Sequence, residues 1–156
     1  MITDFSDLLR PDAVATGWSA ANKKALFQQV ATAFEALGVG EARTIAERLT
    51  EREKLGSTGF GGGVAIPHAK LADLPAPTGL FVRLSQAIDF QAVDNLPVDL
   101  VFVLLSPVDA GSEHLKALAR VSRRLRDRPF LGKLRGAGSR DAVYALFTAD
   151  ESRHAA

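Results

Sequence analysis

Cysteine is absent from the 156 residues, which removes disulfides, thiolate nucleophiles and cysteine-based zinc sites together. An excess of one charge is missing too. The formal net charge is +1, which supplies neither the strongly basic field of a typical nucleic-acid binder nor an acidic tail. No apolar run is long: the strongest, VFVLL at 101–105, falls far short of the roughly 20 residues that span a bilayer. The opening MITDFSD lacks the basic and apolar regions of a signal peptide. These absences predict a soluble, cytoplasmic protein with no membrane insertion and no nucleic-acid partner. The arginines between 120 and 135 agree with this, because no stacking aromatics interleave with them.

Hydrophobic residues make up 47% and charged residues 24%, the balance of a chain that folds by itself as one domain. Leu26, Val30, Phe34 and Leu37 recur at helical spacing, with Ser19 as a cap and Gly38 as a stop. A second helical pattern runs from about Glu41 to Lys54 and stops at Gly56. TGLFVRLS at 78–85 and PVDLVFVLL at 97–105 read as strands. The second is nearly all apolar after Asp99, as a strand covered on both faces would be. VAI at 64–66 is a third short strand ending at Pro67. Ser112 opens a helix with Leu115, Leu118, Ser122 and Leu125 as its apolar stripe. Pro129 and Gly132 break it before shorter helical pieces, the last capped by Ser139, and the tail at 150–156 frays. The pattern predicts a single α/β domain with a mixed sheet flanked by helices.

Five of the thirteen glycines lie in residues 56–63, just ahead of Val64-Ala65-Ile66-Pro67-His68. Such a cluster makes either a tight irregular loop or a place where amides meet a ligand, and both readings stay open. The nucleotide-binding pattern G-x-G-x-x-G does not occur, and the lone Gly132-Lys133 pair is followed by leucine. His68 follows a proline and an apolar stretch that hold its ring in place, as suits a reacting group, although a lone histidine more often ends a strand and hydrogen-bonds locally. His114 falls in the first turn of the third helix, where an anion is stabilised; a solvated residue is the alternative. Arg52 at the end of the second helix can grip phosphate oxygens or pair with its flanking glutamates. His68, His114 and His154 lack metal-ligand spacing, and no G-x-S-x-G elbow is present.

The run from Glu53 through GSTGFGGGVAIPHA resembles the active-site histidine signature of enzyme IIA proteins of the fructose and mannitol class in the bacterial phosphoenolpyruvate-dependent phosphotransferase system. The resemblance continues in ERLTEREKLGSTG, DNLPVDLVFVLLSP and HLKALARVSRRLRD, in family order, and the chain is most similar to the free-standing nitrogen-regulatory branch. Ala69 stands where many members have glycine, and Phe60 where that branch often has isoleucine. The resemblance implies a mixed sheet of about five strands surrounded by helices. It makes His68 the phosphoryl acceptor through Nε2, His114 a second active-site histidine, and Arg52 the arginine near the phosphohistidine. Gly59, Gly61, Gly62 and Gly63 then form the loop that lets a partner's phosphohistidine approach and offers amides to the transferred group. No metal or organic cofactor is implied. The implied partners are a histidine-containing phosphocarrier protein as donor and regulated proteins such as a sensor kinase or potassium transport proteins. Two rival readings are a sugar-specific enzyme IIA that passes phosphate to a cysteine of an enzyme IIB, and a binding module without phosphorylation.

Overall fold

The computed structural model describes residues 4–149, so the tail expected to fray lies outside the described residues. In chain order the elements are a 3-10 turn (Pro11–Ala13), β1 (Val14–Trp18), α1 (Lys23–Ala36), α2 (Ala42–Lys54), β2 (Gly59–Gly61) and β3 (Val64–Ala65). There follow β4 (His68–Leu71), β5 (Thr78–Ile88), β6 (Val98–Pro107), α3 (Ser112–Arg124), α4 (Arg128–Gly136) and α5 (Arg140–Thr148).

The apolar run after Asp99 becomes β6, the centre of the sheet. On one side β5 pairs with it antiparallel, and β1 lies parallel beyond β5. On the other side β3 and β4 both run parallel to β6, and β2 closes that side antiparallel to β3. β3 and β4 are one line of chain in two pieces: Val64 and Ala65 face Leu100 and Val101, while His68 to Leu71 face Leu104 to Pro107. Pro67, which has no N–H for a ladder, sits in the gap. Six strands therefore fill five positions, in agreement with the expected mixed sheet.

Side chains along β6 alternate between two cores. Val101, Val103 and Leu105 pack with α1 and α2, whereas Leu100, Phe102 and Leu104 pack with α3, α4 and α5. Burial on both faces explains why the strand reads as continuously apolar. The face toward α5 gathers Phe5, Phe81, Phe102 and Phe130 around Phe147, with ring centroids 4.9–5.7 Å from it. Among the described residues, no helix is long and apolar enough to cross a membrane.

Several local expectations are corrected. Asn22, not Ser19, caps α1, its side chain accepting from the Ala25 amide; Gly38 does turn the chain out, at φ +78°. The core-facing residues of α3 include His114, Ala117 and Val121, while Leu115 is 66% exposed, so the stripe assigned to Leu115, Leu118, Ser122 and Leu125 is rotated. Gly132 lies inside α4, and Pro129 occupies the first turn of α4, where its missing N–H leaves no bond unmade. Ser139 caps α5 as expected, accepting from the Ala142 amide.

Candidate active site

Register on β6 decides what meets what. His68, the first residue of β4, pairs with Leu104, and two positions further Lys70 pairs with Ser106. The fold brings α3 back over this end of β6, so that His114, three residues into the helix numbering from Ser112, packs beside His68 with ring centroids 5.7 Å apart. From the other side α2 presents Arg52 from its last turn.

Two contacts fix the protonation of His68. Its Nδ1 lies 2.8 Å from the Ile66 carbonyl oxygen, which can only accept, so Nδ1 carries the hydrogen. The Nε–H of Arg52 donates to His68 Nε2 at 3.2 Å, and since Arg52 can only donate, Nε2 holds a lone pair. The ring is thus neutral with a bare Nε2. Burial depresses its pKa below the ordinary 6.5; the Ile66 carbonyl opposes this, the Arg52 charge adds to it, and Glu53 opposes it. Arg52 is held in turn by its Nη1, which donates to the Gly56 carbonyl at 3.0 Å. This is the structural use of Gly56, whose φ of +154° ends the α2 region.

His114 is 8% exposed and its Nδ1 lies 2.7 Å from the hydroxyl of Ser106, which is fully buried. Burial is the main cause that lowers the His114 pKa, followed by the nearby His68 ring and the Lys70 ammonium. Both imidazoles are therefore neutral near pH 7. They open into a cleft of about 530 Å³ that is also lined by Arg48, Glu51, Arg52, Leu55, Ala69, Lys70 and Val108. A slightly larger groove of about 580 Å³ between α1 and α2 contains neither histidine, so its size says nothing about the chemistry. Among the described residues, no three His, Asp or Glu side chains are placed to hold a metal ion.

Behind the cleft, Glu53 ties three segments together. It accepts from Lys23 of α1 at 2.8 Å, and from the amide and hydroxyl of Thr58 at 3.0 and 2.7 Å.

The structure brings together three of the residues singled out in the sequence and sets the others apart. Arg52, His68 and His114 come together as expected. The glycines do not join them. Gly59–Gly61 is a strand, and the Gly63 carbonyl accepts from the amides of Asp99 and Leu100, whereas His68 pairs with Leu104. Four to five residues of β6 separate the two places, about 15 Å at strand rise. Gly61, Gly62 and Gly63 have φ of +111°, +68° and +80°, and the tight turn they form is clamped by Asp94, which accepts from the Gly62 amide, and by Arg135, which donates to the Gly62 carbonyl. Of the two forms the cluster could take, the geometry shows the tight turn, set apart from the three side chains it was expected to join. Ser106 and Lys70 were missed at the site. Ser106 had one signal, a hydroxyl at the end of an otherwise apolar strand.

The family model for the EIIA 2 component of the phosphoenolpyruvate-dependent sugar phosphotransferase system matches residues 7–150. A nitrogen regulatory protein of Bradyrhizobium diazoefficiens is 45% identical over 142 residues, covering 91% of this chain and 93% of that protein. A nitrogen regulatory protein of Pseudomonas aeruginosa is 39% identical over 143 residues, covering 91% and 93%. Among solved structures, the nitrogen regulatory protein IIA-Ntr of Neisseria meningitidis superposes with a TM-score of 0.87 at 33% identity, covering 92% of this chain and 99% of that one.

Proposed function

This chain belongs to the EIIA 2 family of the phosphoenolpyruvate-dependent sugar phosphotransferase system, a family of phosphotransfer carriers, and from that premise we propose that His68 accepts a phosphoryl group from a histidine phosphocarrier protein. Its phosphorylation state then regulates other proteins, for which a sensor kinase and potassium transport proteins are the candidates that the family resemblance suggests. The observation that carries the reading is the pair of contacts on one ring: a carbonyl on Nδ1 and a guanidinium on a bare Nε2.

The chemistry follows from those contacts. The lone pair of His68 Nε2 forms the new bond to phosphorus while the donor's phosphorus–nitrogen bond breaks, its electron pair staying on the donor nitrogen. No proton has to leave Nε2, because none is there. Arg52 covers that lone pair in the resting site. Its Nε–H swings from the ring nitrogen to the equatorial oxygens as charge collects on them, with Nη1 still tethered at Gly56. His114 faces the same cleft. Leu55 and Val108 line it and are 84% and 58% exposed, which suits a donor that is itself a protein.

Intact-mass measurement after incubation with phosphoenolpyruvate, enzyme I and an active phosphocarrier protein tests the proposal. One acid-labile phosphoryl group on the wild type and none on His68→Ala is the expected result. An unmodified wild type would leave a binding module in its place. Rapid onward transfer of the label to an enzyme IIB domain would replace the regulatory role with the sugar-transport one.

A further inference from the structure

We propose that Ser106 is a positioning residue that locks His114 in the tautomer opposite to that of His68, so that the cleft offers one bare imidazole nitrogen and one imidazole N–H. The inference rests on the reading of His68 as acceptor for its consequence, though not for its geometry.

The argument is a count of hydrogens. Ser106 is fully buried in β6, and among the described residues its hydroxyl has one hydrogen-bond partner, His114 Nδ1 at 2.7 Å. If Nδ1 carried the proton and donated, the hydroxyl hydrogen would be buried without an acceptor, a loss of about 1–3 kcal/mol. Donation by Ser106 satisfies both groups. Nδ1 is then the accepting nitrogen, and the neutral ring keeps its hydrogen on Nε2. His68 is held the other way round by the Ile66 carbonyl, with the hydrogen on Nδ1 and the lone pair on Nε2. Two imidazoles 5.7 Å apart are thereby given different jobs by the two different atoms behind them, a hydroxyl that can donate and a carbonyl that cannot.

The division has two consequences for phosphoryl transfer. An Nε2–H on His114 donates to an oxygen of the transferred group, where a lone pair would repel it. The same hydrogen leaves Nε2 of His114 without a lone pair, so only one of the two rings is able to attack phosphorus.

Long-range ¹H–¹⁵N spectra of the unphosphorylated protein read the tautomers directly, with no donor present. Expected are a pyridine-like Nε2 and pyrrole-like Nδ1 for His68, and the reverse for His114. In Ser106→Ala the His114 nitrogens move toward averaged shifts while those of His68 stay. Transfer from the carrier then falls about tenfold, mainly in kcat and not in KM, and Ser106→Thr restores both. A pyrrole-like Nδ1 on His114 in the wild type overturns the proposal whether or not the variants fold. So does a Ser106→Ala protein with unchanged shifts and rate. If the wild type shows the predicted shifts yet takes up no phosphate, the tautomer assignment is supported and the acceptor reading of His68 is what fails.

Discussion

Burial and the neighbouring groups act on the His68 ring in opposing directions. The Ile66 carbonyl favours a hydrogen on Nδ1, Arg52 sits on Nε2, and burial penalises any added charge. The last two keep the ring neutral, which is the form a nucleophile needs. Arg52→Ala removes both the tether to Gly56 and the donor that meets the developing charge, so transfer to His68 is expected to slow by about 10²-fold. The same change takes away a positive neighbour, so an NMR titration of the variant should show the His68 pKa moving up toward its ordinary value. A slowed reaction with an unmoved pKa would mean that Arg52 binds phosphate without touching the resting ring. The depressed histidines also bear on stability. Folded His68 and His114 take up protons at lower pH than the unfolded chain does, so between the folded values and about 6.5 the unfolded state binds more protons. Stability therefore rises with pH through that window and levels off above it. Asp94 is lowered as well, by the amides of Leu96 and Gly62, away from the ordinary histidine range. Urea unfolding at pH 7.5 and 5.5 checks this: the wild type is less stable at 5.5, and His68→Gln shows a shallower loss. An equal loss in the variant would assign the acid sensitivity elsewhere.

At the scale of elements, the Lys23–Glu53–Thr58 network ties the last turn of α2 to the start of α1 and to the segment that leads into β2. Glu53 is nearly buried, and Lys23, also largely buried, lies 4.6 Å over the Phe90 ring. Glu53→Ala leaves a largely desolvated ammonium and two Thr58 donors without their acceptor, so a loss of about 2–4 kcal/mol is expected, read as a lower urea midpoint at unchanged slope. An unchanged midpoint would show that solvent replaces the carboxylate at no net loss. Elements with their own periodicity were legible in the sequence: α1 and α2 from helical spacing, β5 and β6 from β-branched runs. β1 and β4 were not. β1 is five residues long with Gly17 at φ +71° and a register shift between Thr16 and Trp18, while His-Ala-Lys-Leu carries no strand pattern and is held in place by pairing with β6. The rotated face of α3 has the same origin. Spacing favours Leu115 over a polar neighbour, but the hydroxyl of Ser106 on another element is what makes an inward His114 tolerable. His68 was legible from the signature that ends in Val-Ala-Ile-Pro-His, and Arg52 and His114 from the flanking segments ERLTEREKLGSTG and HLKALARVSRRLRD that resemble the family. Their distance from the glycine turn was not, since it depends on the register of β3 and β4 along β6.

For the whole molecule, the cleft sits where β4 and β6 end side by side, with α2 and α3 as walls. A phosphoryl group arriving there changes the charge of the protein from +1 by about −1.5 to −2, and it does so next to exposed apolar side chains instead of on a uniformly polar surface. A protein that covers Leu55 and Val108 must therefore bury or exclude that charge, which is how one histidine can govern binding without any change of fold. On the proposed function, the donor has to cover the same rim before its ring can meet that of His68. Leu55→Glu places a carboxylate on the rim at a position that is 84% exposed, so folding should be undisturbed. Transfer from the phosphocarrier protein is expected to fall about tenfold or more through KM, whereas phosphorylation by phosphoramidate, a small donor that needs no docking surface, keeps its wild-type rate. Equal losses with both donors would place the effect of Leu55 on the chemistry at His68; equal rates with both would mean that the carrier approaches over α3, past Leu115, and leaves the α2 side of the cleft open to a second protein.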